Sequence, residues 1–413
     1  MSTQETLRSR LPMLAVVVVV GLNLRPFLTA VGPLAADISA QTGLAYQDMA
    51  LLTLVPMLLM GALAFLGPAI QRRFGARRAV IAALIVLASG SLLRYFAWDG
   101  RVLILTAVLC GLGVAVVQAL FPGIIKLHFP DRVTFVTGLY SSMLMGGGAV
   151  GAQVAPLVAK ATADWRLGLA WLAIPAIIAV LMAARFLPRA NGQGASVPAM
   201  AFLRRPRTWL LMLSFGLVNG GYSTVVAWLA AFYQGHGWST AASGSLLAVV
   251  ALGQAASALL MPIFASRNLD RRRWIWLTLA MQFVGFAGLA FLPYAAPVIW
   301  ALVVGAGLGG CFALTMVVAL DHLPNPAQAG ALSALMQGGG FLLAALPPWI
   351  VATLHEATGG FIAGWILHIG CVLVVSLLVL RLNPAGYAKA MSLLNAQPNS
   401  LQNQAISSPV SSR

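Results

Sequence analysis

The sequence predicts an all-α membrane protein whose twelve transmembrane helices form two six-helix bundles. Of its 413 residues, 60% are hydrophobic and 8% are charged, whereas soluble globular domains carry about 25% charged residues. Apolar runs of about 18 residues or more, long enough to cross a bilayer, recur along the whole chain. Two sequence patterns of the first half also return in the second half. The ten-residue alternation typical of a membrane β-barrel does not occur.

The apolar runs and the loop signals between them place the helices. We expect helices at approximately 11–35, 46–68, 79–97, 102–125, 134–159, 167–187, 208–233, 241–265, 274–292, 296–320, 328–352 and 359–381. A basic connector with Gly and Pro, 188–207, separates an N-terminal bundle, 11–187, from a C-terminal bundle, 208–381. The tail 382–413 has little apolar surface to bury, so we expect it to be disordered.

The basic residues predict the orientation in the membrane. The formal net charge is +16, and twenty of the twenty-five Lys and Arg residues lie at the termini or in loops on the same side. The positive-inside rule therefore places both termini in the cytoplasm of a multi-pass inner-membrane protein. This orientation explains the positive charge, so nucleic acid is not an expected partner. The expected partners are lipid and a small-molecule substrate. The protein is expected to be able to act as a monomer. The opposite loops and helix ends hold only Arg94, Arg101, Lys160 and Arg166.

The cysteines give no indication of a metal or a disulfide. Cys110, Cys311 and Cys371 all lie inside apolar runs. Such residues are typical small buried side chains. We therefore expect no cofactor and no metal site.

The two halves share two motifs at nearly equal offsets. A shift of 194 residues carries Pro68, Arg73, Arg77 and Arg78 onto Pro262, Arg267, Arg271 and Arg272. A shift of 192 carries the glycine triplet 146–148 onto the triplet 338–340. Two parallel six-helix repeats explain both matches. The triplets are expected to allow close helix packing, and the candidate gating residues of the loop motif are Arg73, Gly75, Arg77, Arg78, Arg267 and Arg271.

Arg25, in the segment NLRPF, is the charged residue expected nearest the membrane centre. Along a helix it lies about 22 Å from Arg10 and about 18 Å from Asp37, so its side chain cannot easily reach either surface. A charge at that depth costs at least about 2.5–3.5 kcal/mol and normally faces a cavity or a partner. All nine Asp and Glu residues lie in loops or near helix ends. Arg25 is therefore a candidate ligand for an anionic guest; the alternative is an arginine that bonds helix-end carbonyls.

Pro26 adds a bend to the same helix. A proline removes one backbone hydrogen bond, here at the Leu22 carbonyl, and we expect either a static kink or a hinge used in gating. The 194-residue shift carries Arg25 onto Asn219, which would face the same cavity from the seventh helix. Tyr222 and Trp228 lie nearby and could contact a small guest, with core packing as the alternative for each.

Other polar residues inside the predicted helices are further candidates. Arg94 is expected to snorkel outward, where it could also draw anions toward an outer vestibule. His368 could titrate, although a packed hydrogen-bonding histidine is expected. No Asp or Glu is predicted near the membrane centre, which argues against proton coupling through a carboxylate. Candidate substrate ligands, with interhelical hydrogen bonding as the alternative, are Asn23, Gln118, Tyr140 and Gln337.

Three segments resemble the cyanate permease and 2-nitroimidazole exporter branch of the major facilitator superfamily. They are NLRPFLTAVGPL (23–34), RRFGARRAV (72–80) and residues 119–152. The resemblance covers all twelve helices and is strongest in the first half. Departures at Pro68 and Arg72 put the charge relay of the superfamily loop motif in doubt. A Gly151-Ala152 pair stands where drug/proton antiporters have Gly-Pro, which argues against a multidrug antiporter. In the seventh helix, Ala230 replaces a proline that relatives often have.

The resemblance implies a secondary active or facilitative transporter of a small anionic or polar solute. A cyanate-like or small organic anion would cross by alternating access. Export of small toxic or nitroheterocyclic compounds is the alternative within this class. A membrane sensor or scaffold without transport is a more remote alternative. An enzyme is not expected, because no carboxylate pair, metal cluster or Ser/His set is predicted at depth.

Overall fold

The computed structural model describes residues 3–44, 49, 51–188 and 199–392. These residues form α-helices joined by short turns, with no β-strand among them. The first half contains α1 (Thr3–Asn23), α2 (Pro26–Thr29), α3 (Ala35–Thr42), α4 (Leu51–Ala64), α5 (Gly67–Phe74), α6 (Ala76–Leu93), α7 (Gly100–His128), α8 (Val133–Thr162), α9 (Trp165–Ala170) and α10 (Ala173–Phe186). The second half contains α11 (Pro206–Gly235), α12 (Thr240–Ala265), α13 (Arg272–Phe291), α14 (Pro297–Asp321), α15 (Pro326–Ala344), α16 (Pro347–Thr358), α17 (Ile362–Val379) and α18 (Tyr387–Met391).

The helices account for the predicted membrane spans. Eleven helical stretches of the described residues are long and apolar enough to cross a membrane, and the bent pair α4–α5 can be counted as a twelfth. The two helices of this pair meet at 64°. Residues 69–74, which lie beyond the predicted second span at 46–68, belong to α5, and Gly75 ends this helix with a φ of +76°. The number of spans therefore agrees with the prediction.

Glycines bring helices into close contact within each half. A side-chain carbon at Gly147 would lie 2.1 Å from the carbonyl oxygen of Leu22, so α8 packs directly on the backbone of the first span. In the second half, a side-chain carbon at Gly340 of α15 would lie 2.4 Å from the Phe215 ring of α11. The close packing predicted for the two glycine triplets is confirmed at Gly147 and Gly340, whereas a side-chain carbon at Gly146 would meet nothing within 4 Å. Equivalent helix pairs use it, as an internal repeat requires.

The two halves approach each other most closely at one end of the molecule. A side-chain carbon at Gly330 of α15 would lie 2.7 Å from the α-carbon of Gly123 on α7. A side-chain carbon at Gly138 of α8 would lie 3.0 Å from Pro262 of α12. We call this end, which carries the loops 72–78, 126–132 and 266–273, the basic face. The other end, with the loops 96–101, 162–166 and 292–297, is the opposite face.

The start of the tail differs from the prediction of disorder from residue 382 onward. A 3-10 turn at Pro384–Gly386 leads into α18. Tyr387 stacks on the His322 ring at 3.7 Å, and its hydroxyl donates to the Leu382 carbonyl at 3.2 Å. Aromatic burial thus orders this stretch against the basic face. Residues 393–413 of the tail and 189–198 of the predicted connector lie outside the described residues.

The outer surface of the bundle is aliphatic. More than half of the side chain is exposed at Leu105, Leu157, Leu181, Leu252 and Leu377, which belong to five different spans. Apolar surface of this extent marks contact with lipid or with another protein, and here it surrounds helices of membrane-spanning length. The chain is a multi-pass membrane protein.

Candidate functional site

The first membrane span is interrupted beside Arg25. α1 ends at Asn23 and α2 begins at Pro26. Since Pro26 has no amide hydrogen to donate, the helical pattern stops, and the amide of Leu24 bonds the Gly21 carbonyl at 3.2 Å. The predicted first span is confirmed as Arg10–Leu34, and the bend expected at Pro26 is a local break in the helix. Pro26 ends one helix and starts another, and the chain then continues through the 3-10 turn Gly32–Leu34 into α3.

The guanidinium of Arg25 lies between aromatic rings of the second half. Its central carbon is 4.4 Å from the centre of the Tyr222 ring on α11 and 6.0 Å from that of Phe312 on α14. Only 6% of Arg25 is exposed. The side chain therefore crosses from the first half to the second, and cation–π contacts of about 0.5–2 kcal/mol each hold it there. Tyr222 was predicted beside Arg25; Phe312 carries no sequence signal that marks it.

Among the described residues, none accepts a hydrogen bond from the Arg25 guanidinium or forms an ion pair with it. The ion pairs of these residues all lie near the two faces, on Asp131, Asp164, Asp270 and Asp321. Five N–H donors in a planar fork suit a carboxylate or a small oxyanion. The arrangement can bind an anion between the two halves without displacing a protein carboxylate.

Two of the predicted partners on α11 do not face Arg25 through their polar groups. Asn219 is buried, and its side-chain amide donates to the Phe215 carbonyl of its own helix at 2.8 Å. The Trp228 indole donates to the Pro348 carbonyl at 2.9 Å and packs on Phe361. Trp228 thus joins α11 to α16, two helical turns beyond Tyr222.

A second group of predicted residues contributes buried polar atoms without partners. Tyr140 stacks on Phe121 with ring centres 5.4 Å apart. Its hydroxyl and the side-chain oxygens of Gln118 and Gln337 have no hydrogen-bond partner among the described residues. Gln337 of the second half donates through Nε2 to the Gln118 carbonyl of the first half at 3.3 Å. The Gln118–Gln337 contact lies at the interface between the halves, whereas Tyr140 packs on Phe121 within the first half.

Asn23 and His368 serve packing within their own halves. The Asn23 amide donates to the carbonyls of Val19 at 2.8 Å and Pro175 at 3.2 Å, which ties α1 to α10. His368 is buried, and its Nε2 lies 2.8 Å from the Thr224 hydroxyl. The packed, hydrogen-bonding role expected for His368 is confirmed.

Arg94 does not snorkel to the surface, and that prediction is wrong. Its side chain is completely buried at the end of α6, and Nη1 donates to the Phe27 carbonyl of α2 at 3.0 Å. The turn after Leu93 folds inward, so Arg94 reaches the first span instead of the opposite face. The outer surface there is formed by the exposed rings of Tyr95, Phe96 and Trp98.

Polar contacts close the basic face between the halves. Lys126 of α7 donates to the carbonyls of Leu320 and Leu323. Its ammonium group therefore caps the end of α14. Arg271 pairs with Asp321 at 3.4 Å, and its Nη2 donates to the Thr134 hydroxyl of α8 at 3.3 Å. Sequence reasoning included Arg271 but missed the other groups. The signal for Lys126 was a lysine in the last turn of a long helix.

The other arginines of the loop motif behave differently in the two halves. Arg77, the repeat counterpart of Arg271, donates to the Ala184 carbonyl within the first half. Arg73, Arg78 and Arg267 are exposed. Gly75 lies between α5 and α6 with a positive φ. Of this repeat pair, Arg271 contacts the other half through Thr134, whereas Arg77 bonds only within its own half.

A family model described as Major Facilitator Superfamily matches residues 18–348 of this helical membrane protein. The chain is therefore a membrane transporter. It belongs to the major facilitator superfamily. It is similar over 90% of its length to the solved proton:xylose symporter, at a TM-score of 0.72 with 14% identity and 95% of that chain covered, which supports the fold.

Two relatives from Escherichia coli (strain K12) place the chain within the superfamily. It is 42% identical to the cyanate transport protein over 377 residues, which cover 91% of this chain and 98% of that protein. It is 30% identical to the 2-nitroimidazole transporter over 391 residues, which cover 92% of this chain and 96% of that protein. The chain is therefore a member of the branch that contains these two transporters.

Proposed function

We propose that this transporter moves a small monovalent anion of the cyanate type, and that Arg25 is its main ligand. The observation that carries the proposal is a mid-span guanidinium to which no described residue offers a carboxylate. A buried, unpaired cation is costly in a membrane, and an anionic substrate removes that cost while it is bound. The relative at 42% identity is a cyanate transport protein, which agrees with such a guest.

The surroundings of Arg25 favour a small guest of single charge. Tyr222 and Phe312 approach the guanidinium, and apolar walls do not stabilise a second negative charge. The Tyr140 hydroxyl is a donor without a partner among the described residues. Gln118 and Gln337 could present either an oxygen or an NH₂ group, since a side-chain amide can rotate by half a turn. Asn219 and Trp228 would shape the cavity rather than bind the anion directly.

Alternating access would separate the two halves at the basic face. We take 11–187 and 208–381 as the two moving bundles and the basic face as the cytoplasmic one, with both termini there and the tail beyond 392 disordered. The excess of Lys and Arg on that side supports this orientation in the inner membrane. Cross-half contacts of Lys126 and Arg271 support a state closed toward the cytoplasm.

We propose uptake as the direction, with export as the alternative; the higher identity to the cyanate transport protein, 42% against 30% to the 2-nitroimidazole transporter, favours a cyanate-like solute. Deletion of the gene separates the two directions. Loss of growth on the anion as a nutrient supports uptake. Increased sensitivity to nitroheterocyclic compounds without such a growth defect would favour export.

Transport in proteoliposomes tests the role of Arg25. Vesicles with wild-type protein should take up labelled cyanate, and Arg25→Ala should lose at least about 100-fold in activity, as expected for a charge-assisted pair worth about 3 kcal/mol. Arg25→Lys should retain a small part, because it keeps the charge without the planar fork. Arg101→Ala, at an exposed position of the opposite face, is the matched control. Normal cyanate uptake by folded Arg25→Ala protein would refute the proposal.

A further inference from the structure

Arg94 is a buried cation that the proposed anion site does not use directly. It is fully buried, its Nη1 donates to the Phe27 carbonyl, and its central carbon lies 6.0 Å from the Phe27 ring. Phe27 follows Arg25 by two residues. The two remaining nitrogens, Nε and Nη2, have no hydrogen-bond partner among the described residues. A guanidinium buried in this way is expensive, so its contact with α2 requires an explanation.

The segment that it contacts cannot hold its own shape. α2 has four residues, too few for a helix to be stable through its own hydrogen bonds. Its backbone bonds include those from Thr29 to Arg25 at 3.3 Å and from Ala30 to Pro26 at 2.9 Å. The Phe27 carbonyl is instead bonded by Arg94. The guanidinium therefore acts as a cap on the end of this short helix.

Two other side chains anchor the interruption on either side of Arg25. Asn23 donates to the Pro175 carbonyl of α10, before the interruption. Thr29 donates to the Gly148 carbonyl of α8 at 2.6 Å, after it. With Arg94 from the 3-10 turn after α6, three elements of the first half fix the segment that carries Arg25. Of these three anchors, only Arg94 is charged. Asn23 and Thr29 belong to the first span themselves, whereas the Arg94 side chain reaches α2 from another part of the chain.

We propose that Arg94 is a positioning residue of the transport site, which holds α2 so that the Arg25 guanidinium points to the interface with the second half. Arg94 itself does not contact the solute. The inference rests on the proposed function of Arg25, because a positioning role requires a site to be positioned. It explains why a cation is buried where the sequence indicates a surface arginine.

The test compares Arg94→Met, Arg94→Lys and Arg166→Met by cyanate uptake and by cyanate-induced thermal shift. Arg94→Met should raise KM about tenfold or more, with a smaller change in maximal rate. In Arg94→Lys the ammonium can still donate to the Phe27 carbonyl, so KM should stay within about threefold of the wild type. Arg166→Met removes another buried guanidinium that bonds a carbonyl, that of Ala97; it should lower Tm without raising KM. An unchanged KM in Arg94→Met would overturn the inference.

A double variant separates positioning from direct binding. If Arg94 acts through Arg25, Arg94→Met should add less than about threefold to the KM of Arg25→Lys, although it costs tenfold in the wild type. An equal factor in both backgrounds would mean that Arg94 acts independently, and the inference would be wrong.

Two further results keep the outcomes distinct. If Arg94→Met does not fold, Thr29→Val, which removes the neighbouring anchor, should raise KM in the same direction, and an unchanged KM there would count against the positioning of α2. Normal uptake by Arg25→Ala would refute the proposed function itself. Loss of uptake in Arg25→Ala together with an unchanged KM in Arg94→Met would refute only the positioning role of Arg94.

Discussion

The guanidinium of Arg25 is stabilised by aromatic faces, and its N–H donors have no acceptor among the described residues. A carboxylate in place of Tyr222 would neutralise the cation permanently and would compete with any anionic substrate. A ring compensates part of the cost of burial without occupying the donors. Sequence reasoning identified Arg25 and Tyr222 from their residue types and from the repeat. It could not identify Phe312, because nothing in the apolar run of α14 distinguishes one phenylalanine from its neighbours.

Substitution of Tyr222 should separate the ring from its hydroxyl. Tyr222→Leu removes the aromatic face 4.4 Å from the guanidinium, and KM for cyanate should rise by about 3- to 30-fold, which corresponds to about 0.5–2 kcal/mol. Tyr222→Phe keeps the face and should stay within about twofold. Tyr294→Leu, at an exposed ring of the opposite face, is the control in the same uptake assay. Equal KM values for the Leu and Phe variants of Tyr222 would contradict the aromatic role.

The first membrane span shows how a helix interruption is built from two other elements. Pro26 ends the hydrogen-bond pattern, and α8 presents Gly147 and Gly151 so that the two backbones touch. Without those glycines, α8 would push the first span away and Arg25 would no longer reach the second half. The sequence indicated a bend at Pro26, but whether the bend was a kink or an interruption depended on what packs against it.

Two neighbouring glycines provide a matched test of this packing. In Gly147→Ala the new carbon would lie 2.1 Å from the Leu22 carbonyl oxygen, whereas a carbon at Gly146 meets nothing within 4 Å. Gly147→Ala should therefore destabilise the protein by about 1–3 kcal/mol, the usual cost of overpacking, and should reduce uptake. Gly146→Ala should keep Tm and uptake at wild-type values. Thermal unfolding in detergent measures the difference, and equal Tm values for the two variants would refute the packing argument.

The buried His322, which stacks on Tyr387 at the start of the tail, predicts a pH dependence of stability. Burial lowers the pKa of His322 to about 4, from a usual value of about 6.5. The neutral imidazole is favoured in the folded state, so its contribution is fully present above pH 6.5 and is lost as the pH falls toward 4. The loss at pH 4 is on the order of 3 kcal/mol.

Substitution of His322 tests this pH dependence. His322→Phe keeps a ring against Tyr387 and removes the titration, so Tm should fall less between pH 7 and pH 4.5 than in the wild type. Thermal unfolding at a series of pH values measures it. An identical pH dependence in both proteins would show that His322 does not titrate in this range.

At the scale of the whole molecule, the two halves resemble each other in fold and differ in chemistry. Arg25 has a neutral counterpart in Asn219, and the cross-half bonds at the basic face come from Lys126 and Arg271, which are not related by the repeat. A transporter needs both properties. In the proposed mechanism, the repeat lets two similar bundles rock about a central site, and the unlike residues would give that site its charge and its gate.

Removal of the lysine at the basic face should open that face. Lys126→Met breaks two charged hydrogen bonds to the end of α14, each worth about 1.5–3 kcal/mol. The population open toward the basic face should rise about tenfold or more. Spin labels at Leu127 and Leu269, exposed positions of the two halves, would report a longer distance by electron–electron dipolar spectroscopy. An unchanged distance distribution would contradict a latch at Lys126.

The control for this experiment is chosen from the opposite face. Lys160→Met removes an exposed lysine there and should leave the distance unchanged. Labelling needs a background without Cys371, which is partly exposed, while Cys110 and Cys311 are buried.

The sequence by itself determined the class of protein, the number of spans and the position of the central charge. These features depend on composition, on the length of apolar runs and on the cost of a charge in a bilayer, and all of them can be read from one chain. Tertiary structure alone decided that α2 is separate from α1, that Arg94 turns inward and that Lys126 reaches α14. The reason is physical: each of these outcomes depends on which backbone carbonyl lies within reach of a long side chain or a glycine, and a carbonyl is present at every residue. Their arrangement is fixed only when the helices have packed.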